Sequence, residues 1–529
     1  LSQTADKSRD WNKEVYFSSS SLSHSKLFYS NNEELSLSGD GYMPKDEDLT
    51  SAMLAVKTWL GNPLSRFFIR FLTQDDPCGN RMSNSIDLYC GAEKELCWKC
   101  KLGGTLIGYI LKRSGALFGI DDSLMKEGLG NPVFKRGLIN VLRGIGDYGI
   151  TTPQRIHAPF LVVWDFTHMC NLRCKHCYQD AQSALEDELT TEESKGLIDQ
   201  LAEAGVVVIA FSGGESLMRK DFFEVAEYAK NKGMYVALAS NGTLITPEVA
   251  VRLKAAGVYY VEISIDGKDA FSHDGMRGIR GAFDRSVRGI KSCVQAGLYT
   301  CIATTVTRDN YSEIPEIYAL AKEFGVKRLM GFNFIPTGRG IQLVDQDISP
   351  LEREELLKYM LTIDARGEKP ECLSTAPQLA RVAVEIAESE GVPVGHFYLG
   401  QPLQGKTRML ADFIGGCGAG RLYCSIEPNG EVQPCVFMPI SLGNIRDHDF
   451  LSIWHSSSTL EILRSRENLN GGCGACDRKY ICGGCRARAW AYFQDISAPD
   501  PGCIHNQVLW EHLKASRTST IPQGFGLAK

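Results

Sequence analysis

Cys170, Cys174 and Cys177 stand as C-x3-C-x2-C in the run from Met169 to Tyr178, just after an apolar stretch. Three thiolates on one tight loop can hold a cubane iron-sulfur cluster that normally takes four, which leaves one iron unclaimed by protein. An open metal position is what separates a site that admits a ligand from a closed structural one. A second array, Cys417-x12-Gly430-x4-Cys435, then Cys473-x2-Cys476-x5-Cys482-x2-Cys485, then Cys503, lies toward the C-terminal end. With Cys424 it offers eight thiols, the number for two closed 4Fe-4S clusters. Zinc ribbons place ~15 to 20 residues between their C-x2-C pairs. Only five separate Cys476 from Cys482, which prefers iron-sulfur. Near the other end, Cys78, Cys90, Cys97 and Cys100 supply four thiols for one tetrahedral iron or zinc. Against that, only the Cys97/Cys100 pair binds, or all four are ordinary thiols. Cys293, Cys301 and Cys372 stand alone and read as buried small hydrophobes.

The elements that must position these residues are legible from 160 to about 340. Apolar strands read at 160–164, 206–211, 235–239, 261–265, 300–306 and 328–334, with amphipathic helices between them. Such alternation argues for parallel pairing through right-handed crossovers. In barrels of this kind chemistry gathers at the C-terminal ends of the strands. The cysteine triplet follows the first strand, Ser212-Gly213-Gly214-Glu215 the second, Ser240-Asn241-Gly242 the third and Asp266-Gly267 the fourth. Four informative turns on one rim read as a site.

The whole chain bounds its company. With 57 basic and 63 acidic residues in 529, and a net charge of -6, no nucleic-acid footprint is expected. Eighteen cysteines without a secretory leader argue for reduced thiolates on metal, hence a cytoplasmic protein of an anaerobe. No apolar run reaches the ~18 residues of a membrane span. The chain opens on Leu1 rather than Met, so its natural start is expected upstream.

The triplet, Gly213-Gly214-Glu215 and the six-unit repeat together resemble the radical S-adenosylmethionine (SAM) superfamily over residues 160–340, and the C-terminal array resembles its SPASM extension. The resemblance implies an α/β fold: a partial (β/α)6 TIM-like barrel, a C-terminal cysteine-rich SPASM domain and a mostly helical N-terminal extension. It implies that SAM chelates the unclaimed iron and is cleaved on reduction to methionine and a 5'-deoxyadenosyl radical. Carried over residue by residue, Gly213, Gly214 and Glu215 would hold the methionine amino group, and Ser264 with Asp266 would lie near the ribose. Arg277 would meet the carboxylate, although a loop arginine needs no ligand. Ser240 and Asn241 would complete the pocket, and Tyr178 is counted among the cofactor contacts. The position before the third cysteine, commonly Tyr or Phe in the family, is His176, a ring still able to pack on adenine. By the same resemblance Cys417, Cys424, Cys435 and Cys485 would hold one auxiliary cluster, and Cys473, Cys476, Cys482 and Cys503 the other. The array has two residues before Cys485 where the family usually has three.

The expected organisation is an arm over 1–50, a helical extension with the first cysteine group over 51–155, the barrel over 156–345, a helical linker over 346–410, the auxiliary-cluster domain over 411–515 and a tail over 516–529. Apolar helical stretches read at 52–60 and 63–72, with Lys or Arg interleaved among Trp, Phe and Leu, and a second pair follows at 106–111 and 133–142. Such helices either pack on the main domain or meet lipid. Two enzyme readings follow. One is a new C-C bond on a long isoprenoid tetraether lipid, as in archaeal synthases that this chain resembles, with peripheral membrane contact. The other is thioether or C-C cross-linking, epimerisation or oxidation of a ribosomal peptide. A reductant such as ferredoxin or flavodoxin is the expected electron partner. A multi-cluster electron carrier is the non-enzyme alternative, and the open triplet argues against it.

Overall fold

The computed structural model describes residues 58, 60–93, 95–118, 121–390 and 414–519. The expected arm at 1–50 and most of the stretch 52–60 lie outside them.

Helices come first: α1 (Pro63–Thr73), α2 (Arg81–Tyr89), α3 (Trp98–Phe118), α4 (Asp122–Gly130) and α5 (Pro132–Tyr148). Asn62 and Asn131 start α1 and α5 by accepting from backbone N–H groups, each followed at once by a proline that suits the first turn. These helices share a small core of Leu72, Met82, Ile86, Tyr89, Ile107 and Leu129. Their interleaved arginines turn inward as braces. Arg70 Nε donates to Gly146 O (2.8 Å), and Arg66 Nη2 donates to Asp147 O (2.8 Å). Arg136 reaches Val206 O (3.1 Å), and Asn140 exchanges two hydrogen bonds with the Ala158 backbone. The basic residues thus bind α1 to α5, and α5 to the following domain.

That domain alternates as expected: β1 (Leu161–Thr167), α6 (Thr191–Ala204), β2 (Val208–Gly213), α7 (Phe222–Asn231), β3 (Tyr235–Ser240), α8 (Pro247–Ala255), β4 (Val258–Ser264), α9 (Ala270–Arg277), α10 (Ala282–Gln295), β5 (Tyr299–Val306), α11 (Ile314–Glu323) and β6 (Arg328–Asn333). A capping box of Thr190 with Glu193 opens α6, and Gly205 in the left-handed region closes it. The strands pair parallel in chain order from β1 to β6. Trp164, Phe166, Phe211 and Phe222 pack edge-on and tilted in the fully buried layer beneath β1 and β2.

Neither edge of this six-stranded sheet stays bare. The region expected as a helical linker contains α12 (Pro350–Ala365), α13 (Gln378–Glu390) and, between them, β7 (Glu371–Ser374), which pairs parallel with β6. At the other edge β8 (Tyr423–Ile426) from the cysteine-rich region pairs parallel with β1, and β9 (Glu431–Gln433) and β10 (Gly443–Asn444) continue antiparallel. Extra strands at both edges satisfy backbone groups that a six-stranded partial barrel would expose. They also carry the C-terminal cysteines to the rim where the triplet sits.

Candidate active site

The triplet loop leaves β1 and is tied down on every side. Cys170 N donates to Gln182 O (3.2 Å), while Arg173 N and Lys175 N donate to Arg277 O (3.1 Å) and Met276 O (2.9 Å) at the end of α9. From the segment after β6, Arg339 donates through its backbone N–H to Cys177 O (2.9 Å) and through Nε to Cys174 O (2.7 Å). Cys174 is buried, and Cys170 and Cys177 are half-buried. Burial pushes the Cys170 thiol up to about 11, with the Glu215 charge adding to it. Leu172 N donates to Cys170 Sγ (3.5 Å), and Arg277 Nη1 to Cys174 Sγ (3.6 Å). A thiolate on a metal is the state that such donors and a guanidinium favour.

Gly213 and Gly214 exist for this loop. Gly213 has φ +104°, and a Cβ there would lie 2.6 Å from Thr167 O. A Cβ on Gly214 would lie 2.7 Å from the Met169 carbonyl carbon and overlap its oxygen. The residue that follows each glycine is tied to the same loop: Gly214 N donates to Thr167 O and Glu215 N to Met169 O, both at 2.7 Å. The close backbone approach that the two glycines permit is therefore to the cysteine loop itself. Glu215 is fully buried, accepting from Ser240 Oγ (2.9 Å), Asn241 N (2.9 Å) and Leu217 N (3.3 Å). Burial raises its pKa against those hydrogen bonds. Asn241 Nδ2 reaches Asn171 Oδ1 (2.8 Å), inside the triplet loop. Glu215, Ser240 and Asn241 thus form one buried group against the cysteines.

Asp266, which the resemblance places near a ribose, has partners of its own: its carboxylate pairs with Arg277 Nε (2.7 Å) and His176 Nε2 (3.4 Å) and accepts from Thr305 N (2.9 Å). Burial disfavours the charged carboxylate, but Arg277 and His176 prevail and hold its pKa below the usual value. Asp266 is what pins Arg277 on Cys174. His176 is driven by burial down to about 4, so the ring is neutral near pH 7, with Nδ1 buried and unpaired among the described residues. Ser264 sits half-buried at the end of β4, opposite Ala303.

Tyr178 leads to residues that the sequence reading missed. Its hydroxyl donates to Asp165 Oδ1 (2.9 Å) and lies 3.1 Å from Ser212 Oγ, and its ring meets Phe437 edge-on at 5.1 Å. Gln179 Nε2 bridges Asp165 Oδ2 (2.6 Å) and Glu427 Oε1 (3.0 Å). Because Ile426 pairs with Trp164, Glu427 and Asp165 leave adjacent strands side by side. Burial, reinforced by the nearby Glu427, raises Asp165 well above the carboxylate range. An acid inside an apolar strand, Val163-Trp164-Asp165-Phe166, was the available signal. Its partner across the sheet was invisible without the β1–β8 pairing.

The C-terminal cysteines separate into groups. Cys417, Cys435 and Cys485 are electrostatic neighbours around Tyr423, whose hydroxyl donates to Cys435 Sγ (2.8 Å). Cys424, expected as their fourth ligand, does not join them. It follows Tyr423 in β8, so it points to the opposite face of the sheet, where its charged neighbour is Arg464. Cys473, Cys482 and Cys503 are mutual neighbours, with Cys476 beside Cys473. Cys473 Sγ accepts from Asp500 N (3.3 Å), Arg486 Nη2 (3.6 Å) and Asn506 Nδ2 (3.7 Å). Three donors on one buried sulfur fit a metal-bound thiolate better than a neutral thiol. The buried Arg421 has all three guanidinium nitrogens unpaired among the described residues, and its charged neighbours are Arg466 and Cys417. An unpaired buried cation is costly. An anionic iron-sulfur cluster on Cys417 is the kind of neighbour that would offset it, so these residues fit the group that the resemblance implies.

At the N-terminal group the structure brings together Asp76, Cys78 and Cys97, with Cys100 adjoining, and leaves Cys90 out. Cys90 Sγ faces Lys126 O (3.5 Å) instead.

Comparison with known proteins agrees with this anatomy. The family model of the radical SAM superfamily matches residues 164–321, and that of the SPASM iron-sulfur cluster-binding domain matches 417–477. An AdoMet-dependent heme synthase of Methanosarcina barkeri is 38% identical over 350 residues, 66% of this chain and 97% of that protein. The mycofactocin maturase MftC of Mycobacterium tuberculosis is 33% identical over 355 residues, 66% of this chain and 84% of that protein. In fold, the chain is similar to Streptococcus suis SuiB, solved with S-adenosylmethionine, with a TM-score of 0.56 at 16% identity over 80% of this chain and 92% of that one.

Proposed function

Because the chain belongs to the radical SAM superfamily and carries its SPASM extension, we propose that Cys170, Cys174 and Cys177 hold a 4Fe-4S cluster whose open iron takes SAM, and that the resulting enzyme removes hydrogen from an unactivated C–H of a tetrapyrrole or peptide substrate. The observation that carries this reading is the convergence of Glu215, Ser240, Asn241 and Arg277 on one cysteine loop. When bound and reduced, the cluster supplies the electron that cleaves SAM to methionine and a 5'-deoxyadenosyl radical.

The chain's own residues do the rest. Glu215, already fixed by Ser240 and Asn241, presents a carboxylate to the SAM ammonium, a charge-assisted contact. Asp266 orients Arg277 against Cys174, where the guanidinium balances thiolate charge. The buried Asp165 and Glu427 lie between the triplet loop and Cys435 and hold a proton at the seam between barrel and extension. Cys417, Cys435 and Cys485 would hold one auxiliary cluster and Cys473, Cys476, Cys482 and Cys503 the other, groups that supply an electron path or a staple.

Similarity to named relatives supports a tetrapyrrole first and a peptide second. Proteins named heme synthases match at 38% identity over nearly their whole length, and MftC at 33%. The test is anaerobic incubation of reduced, fully clustered protein with SAM and either Fe-coproporphyrin III or candidate peptides encoded beside its gene, read by mass spectrometry. A SAM-dependent mass loss in a tetrapyrrole or peptide supports the reading; turnover of neither, with deoxyadenosine still forming, sinks the substrate assignment.

One observation favours a lipid substrate as the second reading. Leu64, Phe67, Trp98, Leu102 and Tyr109 on α1 and α3 are largely exposed apolar side chains, and such faces suit a membrane interface. The braced arginines do not add to that argument, since they are committed within the fold. No helix among the described residues is long and apolar enough to cross a membrane. Co-sedimentation with vesicles that is lost in Phe67→Ser/Trp98→Ser would revive this reading.

A further inference from the structure

Three side chains of the N-terminal extension close on one point far along the chain from the triplet, and a fourth adjoins them. Asp76 and Cys78 lie on the short hairpin Asp75–Asp76/Gly79–Asn80, and Cys97 and Cys100 flank the start of α3. Cys97 Sγ lies 3.5 Å from Cys100 Sγ and 3.5 Å from Asp76 Oδ2, and Cys100 Sγ lies 3.8 Å from the same oxygen. The ligand atoms of Asp76, Cys78 and Cys97 all fall within 4.8 Å of one another.

Those separations have a physical meaning. With Zn–S near 2.3 Å and Zn–O near 2.1 Å, a tetrahedral site has edges of about 3.8 Å between sulfurs and about 3.6 Å from sulfur to oxygen. These three edges match; Cys100 falls outside the group whose ligand atoms all lie within 4.8 Å of one another, so the edge between Cys78 and Cys100 must shorten when an ion is bound. The surroundings orient the ligands as an outer shell does: Cys78 N donates to Asp76 Oδ1 (2.9 Å), Arg81 Nε to Asp76 Oδ2 (3.1 Å) and Asn84 Nδ2 to Cys100 Sγ (3.7 Å) and Cys78 O (2.8 Å).

We propose that Asp76, Cys78, Cys97 and Cys100 form a closed tetrahedral zinc site that staples the hairpin and α2 to the first turn of α3. The extension needs such a device. Its separate core holds six buried apolar side chains among the described residues, and cores that small are commonly supplemented by a metal. Cys90, which spacing alone places with the other three cysteines, is outside the site.

Metal analysis of the full-length protein, purified anaerobically from zinc-supplemented cells, tests this. The expected result is one zinc per chain beyond the cluster iron. It is reduced at least tenfold in Cys97→Ser, weakened in Asp76→Ala and retained in Cys90→Ser, with cluster iron unchanged in all three. If Cys97→Ser does not fold, cobalt(II) substitution of the wild-type protein gives an independent answer: charge-transfer intensity of three thiolates is expected. Intensity of four thiolates, or zinc lost on Cys90→Ser, overturns the ligand set. A mononuclear ferric signal that tracks these residues overturns the zinc assignment. No ion beyond the cluster iron, with Cys97 and Cys100 free or joined in a disulfide, overturns the site.

Discussion

Replacing Gly214 by alanine should disarm the triplet without touching a cysteine. The new Cβ would stand 2.7 Å from the carbonyl carbon of Met169, with its oxygen closer still, and both obstacles are backbone. Carbon atoms settle at about 3.5 to 4.0 Å, so the loop that carries Cys170 must retreat by about 1 Å. The two hydrogen bonds that hold it, Gly214 N to Thr167 O and Glu215 N to Met169 O, stretch with it. Overpacking of this kind costs about 1 to 3 kcal/mol, and a 1 Å misplacement near the chemistry costs roughly 100-fold in rate. We expect iron and sulfide to fall by about one cluster in three, deoxyadenosine formation to fall roughly 100-fold or more, and the melting transition to stay cooperative. Gly196→Ala is the control. Gly196 is exposed in α6 with nothing within 4 Å of a built Cβ, so alanine there should stabilise the fold by about 0.5 to 1 kcal/mol. Full cluster content and an unchanged rate in Gly214→Ala would refute the claim that Gly213 and Gly214 are there to seat the cysteine loop.

Other outcomes follow from the same geometry. Cys435→Ser should lose auxiliary iron while Cys424→Ser retains it, measured by iron count and EPR; loss in both would return Cys424 to the ligand set. Asp347 accepts from Arg353 Nη2 (2.7 Å) and Tyr492 OH (2.9 Å) and faces Arg488 Nε (3.3 Å), all buried or half-buried. Asp347→Ala takes the nearer carboxylate from two buried guanidiniums and leaves Asp500 Oδ1, 3.6 Å from Arg488 Nη1, as the remaining one, so urea unfolding should show a loss of about 3 kcal/mol. His273 is held by burial and the Arg277 charge at about 4 against 6.5, while its Nδ1 accepts from Asp266 N (3.1 Å). The unfolded chain therefore binds that proton first, and stability present above pH 6.5 declines as pH falls toward 4. At ~1.4 kcal/mol per pH unit this is at most about 3 kcal/mol. A His273→Gln variant should show a flatter stability profile over that window, and an identical slope would remove His273 as its cause.

The triplet, the Gly-Gly-Glu turn and the six strands were legible because each is a local pattern: short spacings, apolar runs and turns that read the same in any context. What escaped was decided across the sheet. Cys424 looks like a ligand by count, as the eighth thiol, but its place in β8 next to Tyr423 turns it to the other face. The partnership of Asp165 with Glu427 needs β8 beside β1, a pairing between residues some 260 positions apart. Four-residue β7 was hidden inside a helical stretch because its stability comes from β6, not from its own propensity. Asp76 was passed over because cysteines were counted and the carboxylate among them was not.

In the proposed function the three-cysteine loop starts a radical reaction by cleaving SAM. The most direct measurement is deoxyadenosine and methionine formed by anaerobic, dithionite-reduced protein, compared with a Cys170→Ala/Cys174→Ala/Cys177→Ala variant whose auxiliary clusters are intact by iron count. Stoichiometric deoxyadenosine and methionine from the first and none from the second is the predicted result. No deoxyadenosine from fully clustered wild-type protein, or equal amounts from both, would contradict it.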